Sequence, residues 1–417
     1  MKKWNTPHTF TPMVAQDIII VGGGAAGFFA AINAKIKKPE SKVTILEQSK
    51  EVLNKVRISG GGRCNVTHHC FDPRLLTTYY PRGQRELLGP FHIFGAQDTV
   101  NWFEEHGVKL YTEPDGCMFP VSNSSDTIIQ CFLHLAEKYQ IQIIRNAKVK
   151  AFNYNDTKAY KYEVVTESVN YTTKMLMFAT GSSPFVWNML AQHGYEIIPP
   201  CPSLFTFNLP GHPISKLMGL VVKNTHVSIE NSKICTDGPL LITHWGLSGP
   251  AVLKASAWGA TVLAERNYDF TAYVDWLPNI KIDDITELRE TMAKKKVTAN
   301  HLFGLPARLW QFLLESVLKD KEKNWASLTK NEMSDIVTQL KKCPFPVKGK
   351  TTFKEEFVTA GGVALHQINF KTFESKKHPG LFMAGEVINI DAVTGGFNFQ
   401  AAWTGGYIAG MTIAENA

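Results

Sequence analysis

The stretch from Asp17 to Glu47 limits the fold more than any other part of the chain. Asp17-Ile18-Ile19-Ile20-Val21 is a continuous β-branched run and reads as a buried parallel strand. It leads into Gly22-Gly23-Gly24-Ala25-Ala26-Gly27. Phe28, Phe29, Ile32 and Ile36 then recur at helical spacing, and Pro39 follows the last turn. Val43 to Leu46 reads as a second strand, with Glu47 at its end. Each glycine of the turn has a physical task. Gly22 permits the tight exit from the strand, Gly24 lets a pyrophosphate approach the backbone, and Gly27 lets the helix close on the strand. The free N–H groups and positive dipole end of the helix then face the phosphates. Glu47 lies about 20 residues past the last glycine, where a carboxylate accepts from an adenosine ribose. A glycine turn that only packs is the competing reading. The strand before it, the helix after it and the spaced acid all weigh against that.

Ser59-Gly60-Gly61-Gly62-Arg63-Cys64-Asn65 follows. Three glycines in a row make poor regular structure but a good backbone nest for an anion, with Arg63 as a forked donor. Cys64 and Cys70 are separated by five residues, whereas the redox pair of flavin disulfide reductases encloses four. They read as ordinary thiols, Cys64 serving loop packing. Lys174 to Gly181 is another buried strand, ending in Thr180-Gly181 where a ligand can sit close. Near the C-terminus, Gly380 to Glu386 and then Thr394-Gly395-Gly396-Phe397-Asn398-Phe399-Gln400-Ala401 repeat the order strand, carboxylate, glycine turn, helix start. Glu386 would accept from ribityl hydroxyls, and the helix start near Asn398 would face flavin N1 and O2. A single NAD would not need this second site, so the nucleotide reads as FAD. A C-terminal strand and helix of purely structural use is the competing reading.

A chain of 417 residues is too long for one ordinary core, so two or three domains are expected. Composition shifts near Pro199-Pro200-Cys201-Pro202 to short strands: 205–209, 220–229, 240–243 and 268–275. From Asp283 to Lys342 the period becomes helical, with Pro306 at a helix start and Thr329 and Glu332 at capping-box spacing. Between the first two halves of the nucleotide domain, a helix near 98–106 and one capped by Asp126 are expected. Met1 to Gln16 lacks the apolar core of a signal peptide, and no run is long enough to span a membrane. Seven scattered cysteines argue for reduced thiols in a cytoplasm. No His, Cys, Asp or Glu cluster has metal-ligand spacing, so no metal is expected. A net charge of +7 permits contact with nucleic acid without arguing for it.

With these motifs in view the chain resembles a bacterial FAD flavoprotein family known as NAD(P)/FAD-dependent oxidoreductases, aminoacetone oxidases or bile-acid-inducible flavoproteins. The resemblance covers most of the chain. It rests on Gly22 to Gly27 with Glu47, on Ser59 to Asn65, on Gly238 to Ala251 with its Thr243-His244-Trp245-Gly246, on Thr359 to Val363, on Glu374-Ser375-Lys376 and on Pro379 to Gly410. It implies an α/β architecture: a glutathione-reductase-type Rossmann-like FAD domain from both chain ends, interrupted by a small β-barrel and a helical domain. The corresponding boundaries are 1–198 with 347–417, 199–280 (a return strand near 345–358 being open), and 281–346. The expected cofactor contacts are Gly22, Gly24, Ala25, Ala26, Gly27, Glu47, Gln48, Lys55, Ser59, Gly61, Gly62, Arg63, Cys64, Val149, Thr180, Gly181, Gly385, Glu386, Asn398, Gln400 and Ala401. Two departures stand out. Relatives carry further glycines after Thr180-Gly181, and an Arg where this chain has Cys117. Both leave the flavin untouched and bear on substrate and electron donor.

His244 is the candidate proton donor or substrate-orienting group; a hydrogen-bonded structural histidine is the alternative. His68-His69 and Glu104-Glu105 read as solvent-facing. The functional expectation is an FAD-dependent oxidoreductase that moves a hydride between flavin N5 and a small organic substrate. NAD(P)H, binding transiently, or oxygen would be the other partner. The alternative class is an RNA-binding or RNA-modifying flavoprotein, or a flavin-bound interaction protein without turnover, motivated by the basic charge.

Overall fold

The fold is described from a computed structural model, for residues 13–299, 302–351 and 358–417. The chain forms two compact units. One runs to Pro200 and resumes at Thr359–Ala417; the other is Cys201–Val358.

In the first unit, strand β1 (Met13–Val21) is the centre of the parallel part of a nine-stranded mixed sheet. It pairs with β2 (Val43–Leu46) on one side and with the strand Asn170–Phe178 on the other. Gln142–Ile144 lies beyond β2, and Leu381–Met383 lies beyond Asn170–Phe178. Ile18, Ile19 and Ile20 are fully buried, which is why the run is unbroken rather than alternating. β1 starts earlier than its apolar run suggests, because Met13 to Gln16 pair with Asn170 to Thr173.

Helix α1 (Ala25–Lys37) covers this sheet together with the C-terminal helix Phe397–Asn416. The two cross backbone to backbone. A Cβ at Gly406 would lie 2.7 Å from the Ala26 oxygen, and one at Gly410 would lie 2.5 Å from the Ala30 oxygen. No larger residue fits either position. Beside that crossing Phe29 lies among Phe94, Trp102, Phe103, Phe132 and Trp403. The helix expected from Asp126 is capped two residues earlier, by Ser124. Ser124 Oγ accepts from the Asp126 N–H at 3.3 Å, and the helix is Ser125–Lys138.

The second unit carries a seven-stranded sheet whose recorded pairings are all antiparallel, with Cys343–Lys348 and Lys350–Thr351 as its end strands. Pro344 and Pro346 sit on the end strand, where a missing N–H costs no ladder bond. The helix Pro250–Glu265 interrupts the expected succession of strands. Helices Ile282–Thr291, Ala307–Glu315 and Lys330–Lys341 follow. The capping box reads true: Thr329 Oγ1 accepts from the Glu332 N–H at 3.2 Å and Glu332 Oε2 accepts from the Thr329 N–H at 2.9 Å. These helices do not have a core of their own. Trp276, Leu309, Trp310, Leu313, Ile336 and Phe345 belong to one buried cluster shared with the sheet.

Candidate cofactor site

The first glycine turn separates into two kinds of position. Gly22 has φ +111°, and a Cβ there would lie 2.4 Å from the Ala179 oxygen. A Cβ at Gly27 would lie 2.1 Å from the Gly22 oxygen. These two glycines are demanded by the protein itself. Gly24 is different: a Cβ there meets nothing within 4 Å. The same holds for Gly61, Gly62 and Gly181. Gly24 precedes α1 and provides no side-chain cap, so the first N–H groups of Ala25, Ala26 and Gly27 face outward from the helix end without a side-chain acceptor. At the end of the neighbouring strand, Thr180 Oγ1 is buried with no partner among the described residues.

Glu47 is fixed from two sides. Its Oε2 accepts from the Gly23 N–H at 2.8 Å, and its Oε1 accepts from the Ser49 N–H and hydroxyl at 2.8 and 2.7 Å. Each carboxylate oxygen can accept more than one bond. Gln48 beside it is exposed. Val149 is buried, and its segment lies along β2 because the Ala147 N–H donates to the Glu47 carbonyl at 2.8 Å.

α2 (Asn54–Gly62) is broken inside its own range, where the second glycine run takes a left-handed path. Ser59 turns extended, then Gly60, Gly61 and Gly62 have φ of +57°, +66° and +83°. Cys64 also has positive φ, and its N–H closes the loop on the Ser59 carbonyl at 3.0 Å. Burial pushes the Cys64 thiol up to about 12, so it is a neutral packing group. The Arg63 fork is engaged by the protein. It donates to Glu113 Oε1 at 2.6 Å and lies 4.0 Å above the Phe119 ring.

The C-terminal motif meets the N-terminal one. Gly385 comes within 3.4 Å of the Ala26 Cβ when a Cβ is built on it. Lys55 Nζ and Glu386 Oε2, 331 residues apart, are 2.5 Å apart. Asn65 accepts from the Gly396 N–H at 3.2 Å and donates to the Thr67 carbonyl at 3.0 Å. Two expected contacts turn inward instead. The Asn398 amide is committed to both backbone groups of Ala392, at 2.9 and 3.1 Å. Gln400 is fully buried; its Oε1 accepts from Thr67 and Thr99, and its Nε2 donates to Thr404. Both side chains shape the turn, leaving backbone N–H groups at the helix start. Ala401 is buried on the same helix.

Four residues that carry this end were not singled out from sequence. Arg82 makes a bidentate pair with the fully buried Asp391. The Tyr80 hydroxyl donates to the Phe397 carbonyl at 2.5 Å, and the Val393 N–H donates to the Tyr79 carbonyl at 3.0 Å. His68 is not solvent-facing. Its ring stacks on Phe397 at 4.6 Å, beside Tyr79, which stacks on Phe397 at 4.2 Å. No local spacing signals these contacts, because each joins segments about 300 residues apart in sequence. His244 belongs to the other unit. It is exposed, in the turn between Cys235–Ile242 and Gly246–Ser248, with its ring 4.0 Å from that of Trp245.

A family model described as HI0933-like protein Rossmann domain matches residues 16–412. The chain belongs to this family. It is an FAD-dependent oxidoreductase. It is 28% identical over 411 residues to the ribosomal RNA dihydrouridine synthase of Haemophilus influenzae, covering 95% of this chain and 98% of that protein. It is 26% identical over 413 residues to the 3-dehydro-bile acid delta(4,6)-reductase of Clostridium scindens, again covering 95% and 98%. Among solved structures, a 3-ketosteroid-delta4-(5alpha)-dehydrogenase from Rhodococcus jostii RHA1 shares the fold, with a TM-score of 0.55 at 14% identity, covering 97% of this chain and 98% of that one. The residues of the HI0933-like chain fit FAD: four glycines leave their surroundings open and the Thr180 oxygen is buried without a partner. Among the described residues no group of side chains could hold a metal ion, and no helix is long and apolar enough to cross a membrane.

Proposed function

We propose that this HI0933-like flavoprotein reduces a carbon–carbon double bond conjugated to a carbonyl, with uridine in ribosomal RNA as substrate and NAD(P)H as the electron source. The observation that carries the reading is the pair of relatives, matched over nearly their whole length. Their names describe unlike substrates but one bond change. Dihydrouridine is uridine with two hydrogens added across a double bond conjugated to a ring carbonyl. A Δ4,6 3-oxo steroid acid offers the same kind of bond. The RNA choice is supported by the further ribosomal RNA relative, 26% identical over 399 residues, and by the net charge of +7.

Bound FAD supplies the hydride, from N5 of its reduced ring. The chain's part is to hold and orient. Gly24, Ala25 and Ala26 would present N–H groups to the pyrophosphate, with Thr180 and Gly181 alongside. Glu47 would hold the adenosine ribose, and Glu386, neutralised by Lys55, the ribityl chain. Ser59, Gly61 and Gly62 would let the ring approach the backbone. The start of the C-terminal helix would stabilise negative charge on the pyrimidine edge. His244 is the proposed donor of the proton that completes the addition.

The test is anaerobic. Holoenzyme with NADH or NADPH is incubated with ribosomal RNA, and digested nucleosides are weighed by mass spectrometry. The reading expects dihydrouridine at a defined position and bleaching of the flavin by one of the two nicotinamides. Reduction of a 3-oxo-4,6-diene steroid acid without any dihydrouridine would sink the RNA substrate. An amine bleaching the flavin where both nicotinamides fail would sink the reductase direction.

A further inference from the structure

His68 lies where the two glycine ends of the cofactor site are stitched together. It ends the short strand β3 (Thr67–His68), whose neighbours Asn65 and Thr67 are bonded to Gly396 and Gln400. Its ring stacks on Phe397, the first residue of the C-terminal helix. A Cβ on Gly395 would lie 3.5 Å from His68 Cδ2. On the other side, Gly116 makes room: a Cβ there would lie 2.4 Å from His68 Cε1. The ring is thus fixed between two glycine turns.

Its tautomer follows from its partner. His68 Nε2 is 3.1 Å from the Asp115 carbonyl oxygen, which can only accept. Nε2 therefore carries the hydrogen. Nδ1 is left as a bare acceptor, buried and without a partner among the described residues. A buried acceptor left unmet is costly, so such an atom is expected to find a donor. Burial also lowers the proton affinity of this ring, which keeps the bare acceptor available at neutral pH.

We infer that His68 Nδ1 accepts a hydrogen bond from the imide N–H of the flavin pyrimidine ring, N3–H. This rests on the placement of the isoalloxazine under the proposed function. If the helix start meets N1 and O2, the next donor along that ring edge is N3–H, flanked by two carbonyls. His68, stacked on the first residue of that helix, is the acceptor the edge needs. The bond makes His68 a positioning residue: it fixes the ring plane against the helix start. Uracil carries the same imide N–H, and the test distinguishes the two sources.

The experiment uses holoenzyme carrying 15N-labelled FAD and follows the N3 proton by NMR. His68→Phe keeps a flat ring for the stack but removes the acceptor. His68→Asn restores a carbonyl acceptor. The expected result is a shifted, faster-exchanging N3 proton and FAD retention weaker by about fivefold in His68→Phe, from the loss of one neutral hydrogen bond. His68→Asn should recover part of both. An N3 resonance identical in wild type and His68→Phe overturns the inference, even though both proteins are yellow. If that resonance is unchanged while uridine-containing RNA binds His68→Phe more weakly, the acceptor serves the substrate and the flavin assignment is likewise overturned. A wild-type protein that retains no FAD would instead overturn the reading beneath it.

Discussion

Two glycines three residues apart in one turn, Gly24 and Gly27, should fail in opposite ways. Gly27 faces backbone, so Gly27→Val forces α1 off the strand and should cost about 3 kcal/mol, read as a lower urea midpoint. Gly24 faces open surroundings, so Gly24→Val should leave the midpoint unchanged while its side chain fills the space proposed for the phosphates. A second residue-scale prediction concerns Arg82 and Asp391. Asp391 is fully buried, and Asp391→Asn leaves the Arg82 charge without its carboxylate. The expected loss is about 3 kcal/mol, together with weaker FAD retention, since the pair pins the turn between Glu386 and Gly396. An unchanged urea midpoint would contradict this. The steric tasks of Gly22 and Gly27 were legible in the sequence because they are set by spacing within one strand-turn-helix unit. Asp391 was not, because its partner is 309 residues away. Gln400 and Asn398 looked like ligand contacts because they follow a glycine turn, but a polar residue at a helix start can as well bond the turn it leaves.

At the scale of elements, the crossing of α1 with the C-terminal helix decides whether the two chain ends stay together. Gly406→Leu places a side chain against the Ala26 carbonyl and should separate the helices. Its expected effect is a lost near-ultraviolet signal from the aromatic cluster around Phe29 and a lower melting temperature. That crossing was only half legible: the glycine-rich C-terminal helix was expected, its partner was not. The helix Pro250–Glu265 was missed outright. It buries Ala251, Val252, Ala255, Ser256, Ala257, Gly259, Ala260 and Leu263, so it lacks the polar face that gives a helix its period. A pH dependence belongs at this scale too. Ser375 Oγ accepts from the Lys377 and His378 N–H groups, and the Tyr195 hydroxyl is hydrogen-bonded to both Ser375 Oγ and His378 Nδ1. Burial, with His193 and Lys377 nearby, lowers His378 from its ordinary value of 6.5. The unfolded chain then binds this proton more readily than the fold does. His378 therefore contributes stability above pH 6.5 that is lost as pH falls from there through its lower folded value. His378→Gln should flatten that part of the profile. An unchanged slope between wild type and variant would exclude His378 as its source.

For the whole molecule, the breaks read near residues 200 and 350 lie close to the ends of the second unit, Cys201–Val358. Helical period says which face of 281–346 is apolar and not which sheet covers it. Here the strands and helices of that unit share one core. The proposed RNA substrate brings its own prediction. Binding of ribosomal RNA to holoenzyme should weaken linearly in log–log form as salt rises, with a slope set by the number of phosphates neutralised. Salt-independent binding would leave the basic charge without a role. Beneath all of this is the claim that segments from both chain ends hold one FAD, joined by the Lys55–Glu386 pair. The most direct measurement is FAD per chain, by visible absorbance and released flavin, in wild type and Gly24→Val compared at equal urea midpoints. Wild type should be yellow, and the variant folded and colourless. A folded Gly24→Val protein with its full complement of FAD would contradict that claim.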